Sequence, residues 1–208
     1  MAPNQAAEHL QAIRTLMERS AVYRRALAPI MVYCGVVGII GGVVGGWWQQ
    51  NSARGFVVFW ASVAGVALLG SVLMVRRQSF KDGEPFWSPP IRRVVEALIP
   101  PFAVGAFLGV LFACANHDVD GCGVLVPVWC VFFGLGIYSA GFFMPRGLKI
   151  FGLFYILTGI LLMWGLLTQT VRFPTMAFPN SLMAATFGGF HLAYGIYLYF
   201  TEPRGKTL

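Results

Sequence analysis

One histidine stands inside an apolar stretch near the C-terminus. His191 lies in "GGFHLAYG", residues 188–195, with glycines on both sides. A histidine so placed can hold a hydrogen bond across a helix contact, ligate the iron of a haem or another porphyrin, or meet a substrate or gate. A haem would need a second axial ligand. The other histidines, His9 and His117, both fall outside the apolar runs. Met163 or a residue of another chain would have to serve. Ala184, Gly188 and Gly195 share a helical face with His191. That face is small, so His191 is expected to point at a tightly packed helix, as an uncharged imidazole hydrogen-bonded to it.

Two further groups could do chemistry. Glu96 follows Arg92 and Arg93 by four and three residues, the spacing of an ion pair on one helix. A proton or cation relay would need a second acid across the bilayer, and none is in view. "CANHDVDGCG" gathers Cys114, His117, Asp118, Asp120 and Cys122. Cys114 and Cys122 could close a short disulfide in an oxidising compartment. His117 with the aspartates could hold a metal, although D-x-D-G lacks the rest of a calcium loop. The simplest expectation is a solvated acidic loop. Cys34 and Cys130 read as small apolar residues. H-E-x-x-H, a Walker loop, G-x-S-x-G and C-x-x-C are all absent from the sequence, and so are paired aspartates within the apolar runs, so no enzyme is expected.

The elements that position these residues follow from composition. The chain of 208 residues is 57% hydrophobic and 11% charged, with a mean hydropathy of +0.70. Soluble domains carry about 25% charged residues. A span of about 30 Å of hydrocarbon takes about 20 apolar residues in a helix. Six runs qualify: Leu27–Trp48, Gly55–Val75, Val94–Ala115, Gly123–Met144, Ile150–Gln169 and Ser181–Phe200. They are apolar all round and lack the alternation of barrel strands. The expected fold is all-α, a six-helix transmembrane bundle over 27–200. It is preceded by a cytoplasmic segment, 1–26, and followed by a tail, 201–208.

Cation placement gives orientation. Arg14, Arg19, Arg24, Arg25, Arg76, Arg77, Lys81, Arg92, Arg93, Arg146, Lys149, Arg204 and Lys206 fall on one side; only Arg54 and Arg172 fall on the other. An even number of spans satisfies this, with both termini cytoplasmic. The net charge of +7 is thus a topology signal matched to an anionic leaflet, and no nucleic-acid partner is expected.

Within 1–26, Leu10, Ile13, Leu16 and Met17 recur at helical spacing. This predicts an amphipathic helix on the membrane surface, or else a docking helix for a partner or a mobile tail. The first span holds "GVVGIIGGVVGG", with Gly38, Gly42 and Gly46 four apart on one face. Small residues at that spacing let a second backbone approach closely, and Gly105 and Gly109 repeat the device. The neighbour could be another helix of this chain or a second protein. In "EPFWSPPIRRVVEALIPP", Ser88 and Pro89 read as an N-cap and first helical turn. Pro100 and Pro101 make the third span either one kinked helix or an interfacial turn joined to a shorter one.

Three segments carry a resemblance: "IRTLMERSAVYRR", "EPFWSPPIRRVVEALIPP" and "MAATFGGFHLAYGIYLY". Together they resemble a group of uncharacterised bacterial multi-pass inner-membrane proteins. The resemblance implies a bacterial source and a six-helix bundle, and brings no active-site residues.

Three functions are therefore expected to compete. The first is a non-catalytic accessory, scaffolding or regulatory subunit with membrane-protein partners or self-association. The second is a small-molecule or lipid carrier or channel. The third is a haem- or pigment-binding subunit using His191. No cofactor is required by the first, and bound lipid is expected in all three.

Overall fold

Apolar runs that must leave no backbone group unpaired in lipid fold as helices, and these do. The computed structural model describes residues 27–48, 52–83, 85–115, 119–144, 146–171 and 177–201. The surface helix expected within 1–26 and the tail from 202 onward lie outside the described residues. Helix α1 is Leu27–Trp47. Helices α2 to α5 are Ala53–Asp82, Pro89–Cys114, Val119–Ala140 and Arg146–Leu167. The last run opens as α6, Ala177–Met183, continues through a π-helical segment, Ala184–Phe190, and ends as α7, His191–Thr201. There is no strand among the described residues. Helices α1 to α5 are each long and apolar enough to cross a membrane. The sixth run is helical but is not one uninterrupted α-helix.

The boundaries have local causes. Ser52 caps α2 by accepting from the Gly55 N–H at 3.2 Å. Ser88, in extended conformation, is the N-cap of α3, and a proline opens that helix as the sequence predicts. Helix α3 then runs unbroken through Pro100 and Pro101, so it is one helix and not two pieces. Helix α4 begins at Val119. The backbone of Asp120 therefore belongs to a first helical turn; His117 and Asp118, the rest of the expected acidic loop, lie outside the described residues. Helix α4 ends at Ala140 and not Met144 because the chain tightens there. Phe142 N–H donates to Ser139 O at 3.2 Å, and Phe143 N–H to Ala140 O at 3.0 Å. Helix α5 stops before Gln169, which adopts a left-handed φ of 59° that no α-helix continues through.

Close approach is where glycine matters. A methyl added to Gly35 would meet the backbone of Leu192, one at Gly38 that of Gly188, one at Gly42 Ala184, and one at Gly45 the side chain of Asn180. A methyl at Gly195 would meet Val32 N. As the α1 number rises its partner's falls, so α1 and the 177–201 run are antiparallel and in backbone contact. The neighbour of the glycine face is thus another helix of the same chain. A methyl at Gly46, expected on this face, would meet nothing within 4 Å. Gly46 lies one residue past Gly45, the last α1 glycine in the contact. The α4–α5 pair uses the same device. A methyl at Gly134 would sit 2.6 Å from Gly152 O, and one at Gly159 2.7 Å from Pro127 O. Gly105 and Gly109 differ. They admit the indole of Trp129, whose Nε1 donates to Gly105 O at 3.0 Å, so they accommodate a side chain and not a second backbone.

Helix α4 is the centre of the bundle, with 50% of its apolar window buried, against 11% for α2 and for α3. The core gathers Phe56 and Trp60 of α2, Leu125, Val126 and Cys130 of α4, and Phe151 and Tyr155 of α5. Helices α2 and α3 form an outer wall with apolar side chains facing outward, as lipid-facing helices do.

Candidate functional site

The sequence spacing places His191 on the small-residue face; the structure sets it on the face beside it. Residues 184, 188, 192 and 195 abut α1. His191 turns instead toward α4 and α5, into a cage of aromatic rings. Its ring meets Phe133 at 5.2 Å, Phe151 at 5.3 Å and Tyr155 at 5.7 Å, all edge-to-face. Phe187 and Tyr194 extend the cluster by packing on Phe133 and Phe151. Edge-to-face pairs of aromatic rings contribute about 0.5–1.5 kcal/mol each beyond area burial.

The polar contacts of the cage follow from the backbone. A π-helical turn closes with i→i+5 bonds and displaces carbonyls from the ordinary ladder. Two carbonyls of this segment receive side-chain donors. His191 Nδ1 lies 2.7 Å from Phe187 O and 2.9 Å from the Tyr155 hydroxyl. The Tyr155 hydroxyl donates to Thr186 O at 2.8 Å. A carbonyl only accepts, so Nδ1 carries hydrogen and donates to Phe187 O. The Tyr155 proton is directed to Thr186, and its oxygen faces the same imidazole N–H. Beside them the Thr186 hydroxyl donates to Leu182 O at 2.8 Å, and Phe133 of α4 packs on both Tyr155 and His191. The constellation therefore ties α4, α5 and the π segment together. Its hydrogens point at carbonyls of the same chain.

A second buried polar node lies further along the same seam. Asn180, fully buried in α6, accepts from Trp60 Nε1 at 2.8 Å and donates to Gly45 O at 3.1 Å. One side chain thus bridges α1, α2 and α6. Asn180 stands just before the sixth apolar run, Ser181–Phe200. Replacing it by leucine of similar size is expected to cost about 2 kcal/mol, because the buried indole N–H loses its acceptor. Unfolding in a titration of sodium dodecyl sulfate, followed by tryptophan fluorescence, measures this. An unchanged midpoint in Asn180→Leu would show that the bridge contributes nothing.

The other candidates separate. Arg92 Nε binds Glu96 Oε1 at 2.7 Å, with both side chains more than half exposed. This is the expected i,i+4 pair, worth about 0.3–0.5 kcal/mol, and it is made by Arg92 and not Arg93. Cys114 and Cys122 are not joined: Cys114 is exposed at the end of α3, and Cys122 is buried in α4. Helix α4 starts early enough to turn Cys122 into the core. No group of three metal-ligating side chains converges among the described residues; His117 and Asp118 lie outside them. A shallow, open surface patch at the far end of α2 is lined by Leu73, Arg76, Arg77, Phe80 and Lys81. It is formed by α2 alone and does not reach His191.

Tyr155, Thr186, Trp60 and Asn180 are the residues that sequence reasoning missed. Tyr155 carried a usable signal. A tyrosine far from both ends of an apolar span must find a partner for its hydroxyl. Pro179 beside Asn180 was a second, because proline is favoured in a first helical turn. In comparisons with protein-family models, with curated proteins and with solved structures, nothing matches this chain.

Proposed function

We propose that this chain works by contact, as a non-catalytic accessory, scaffolding or regulatory subunit of a membrane complex. The observation that carries the reading is the closure of the polar interior. His191, Tyr155, Trp60 and Asn180 engage one another and nearby carbonyls, and aromatic rings fill the space around His191. A carrier needs a path, and a path needs polar groups turned toward water. Here they are turned toward protein.

Six spans fit this reading. The run 177–201 is antiparallel to α1 over several turns, and 25 helical residues reach about 37 Å. A sixth crossing makes the span number even and keeps thirteen of fifteen cations on one side, which is the cytoplasmic side of a bacterial inner membrane. The α1 glycines lend no support to a partner, since they serve a contact within the chain. The support comes from a rigid interior inside an outer wall, α2 and α3, that the chain itself leaves uncovered.

Gentle extraction from the native membrane followed by native mass spectrometry, with an absorbance trace, tests the proposal. A defined partner in fixed stoichiometry is the expected result. A lone colourless chain, with liposome flux that His191→Ala abolishes, would replace it with the carrier reading. A bound chromophore would replace it with the pigment reading.

A further inference from the structure

From the end of α2 we infer a binding site for the phosphate headgroup of an anionic phospholipid, made by Arg76, Arg77 and Lys81. Three independent features converge there. The first is depth. Helix α2 has 30 residues, about 45 Å at 1.5 Å per residue, while the hydrocarbon core is about 30 Å thick. Counted from Gly55, where the apolar run begins, the core ends near Val75. Arg76 and Arg77 then stand about 2–3 Å further on, in the headgroup layer, and Lys81 about 9 Å further on, at its outer edge.

The second is charge. Arg76, Arg77 and Lys81 are all exposed and form one open surface patch with Leu73 and Phe80. Among the described side chains no carboxylate pairs with them, whereas Arg92 on α3 is held by Glu96. Arg76 is steadied over the Phe80 ring at 5.6 Å. The helix end does not oppose an anion strongly, because the Gly83 N–H already satisfies the Phe80 and Ser79 carbonyls.

The third is the amphiphilic pattern. Val66, Leu69 and Leu73 are exposed apolar residues at i, i+3 and i+7, one stripe on the helix. Arg76, Arg77 and Phe80 continue the same stripe. A lipid lies along such a face with its chains on Val66 to Leu73 and its phosphate among the cations. Free phosphate matches only the second half. The inference requires α2 to cross a bilayer and does not depend on the contact role above, so the absence of a partner subunit leaves it intact.

Native mass spectrometry of the full chain in detergent, with equal phosphatidylglycerol and phosphatidylcholine, reads the site directly. Wild type is expected to retain the anionic lipid over the zwitterionic one by about tenfold or more, given three cations at the headgroup level. The triple variant Arg76→Gln, Arg77→Gln, Lys81→Gln is expected to bring that ratio to about one. Its melting temperature should not move, since all three side chains are exposed. Arg92→Gln with Arg93→Gln removes two cations from the same side and should leave the ratio high. No preference in wild type would overturn the inference without any variant. An equal loss in the Arg92/Arg93 variant would reduce it to a general charge effect. Displacement of the lipid by millimolar inorganic phosphate would show an anion site with no lipid selectivity.

Discussion

Replacing Gly38 by leucine is expected to break the bundle, at a cost of more than about 4 kcal/mol. The argument is geometric. Even a methyl at Gly38 would lie 2.8 Å from both N and Cα of Gly188 and 3.1 Å from the Phe187 carbonyl carbon. All three are backbone atoms, so no rotamer change relieves the overlap. The two helices must separate along their length. In lipid that separation has no hydrophobic penalty to oppose it, because helix association there rests on van der Waals contact and interhelical hydrogen bonds. Separation would also pull Asn180 away from Gly45 O and the π segment away from α1. Alanine at the same place should show a smaller loss of about 2 kcal/mol. Gly46→Ala is the control. A methyl at Gly46 would meet nothing within 4 Å, and alanine favours a helix over glycine by about 1 kcal/mol. It should unfold at the same detergent fraction as wild type or slightly above. Titration with sodium dodecyl sulfate in mixed micelles ranks the variants. If Gly38→Leu unfolds with wild type, the α1 seam is not as the structure has it.

What the sequence made legible, and what it hid, has a physical pattern. Helix existence was readable because apolar runs of span length are a signal of composition and length. The Arg92–Glu96 pair was readable because both partners lie on one helix, at a spacing fixed by helical geometry. Gly38 and Gly42 were readable as a contact face, but their partner was not. Small residues announce a close approach and carry nothing about what approaches. Gly134, Gly152 and Gly159 went unread because their spacings do not repeat a four-residue step. The π segment left no trace in periodicity either. It adds one residue to a turn, so His191 leaves the face that ordinary spacing assigns to it. Asn180 was hidden by position. It sits at the edge of an apolar run, where a polar residue reads as loop, and only its tertiary partners Trp60 and Gly45 place it inside.

The His191 cage predicts a ranking that a ligand role does not. His191→Ala removes the donor to Phe187 O and leaves a ring-sized void among Phe133, Phe151 and Tyr155. The expected cost is about 3 kcal/mol, most of it lost packing. Tyr155→Phe keeps the ring and removes the hydroxyl, leaving Thr186 O without that donor. Hydrogen bonds between membrane helices average about 0.6 kcal/mol, with a maximum near 1.7, so a loss of about 1 kcal/mol is expected. The two residues touch, so the double variant should lose less than the sum, by about 0.5–1.5 kcal/mol. Side-chain length gives a sharper test. Asparagine places an amide nitrogen near the position of Nδ1 and can still donate to Phe187 O, while glutamine extends past it. His191→Asn should therefore recover part of the loss, and His191→Gln should recover less. A histidine kept for a bound group alone would show no such order, because its removal from the unliganded bundle would leave the unfolding midpoint where it was. The measured order of alanine, glutamine and asparagine thus decides whether His191 holds the fold together.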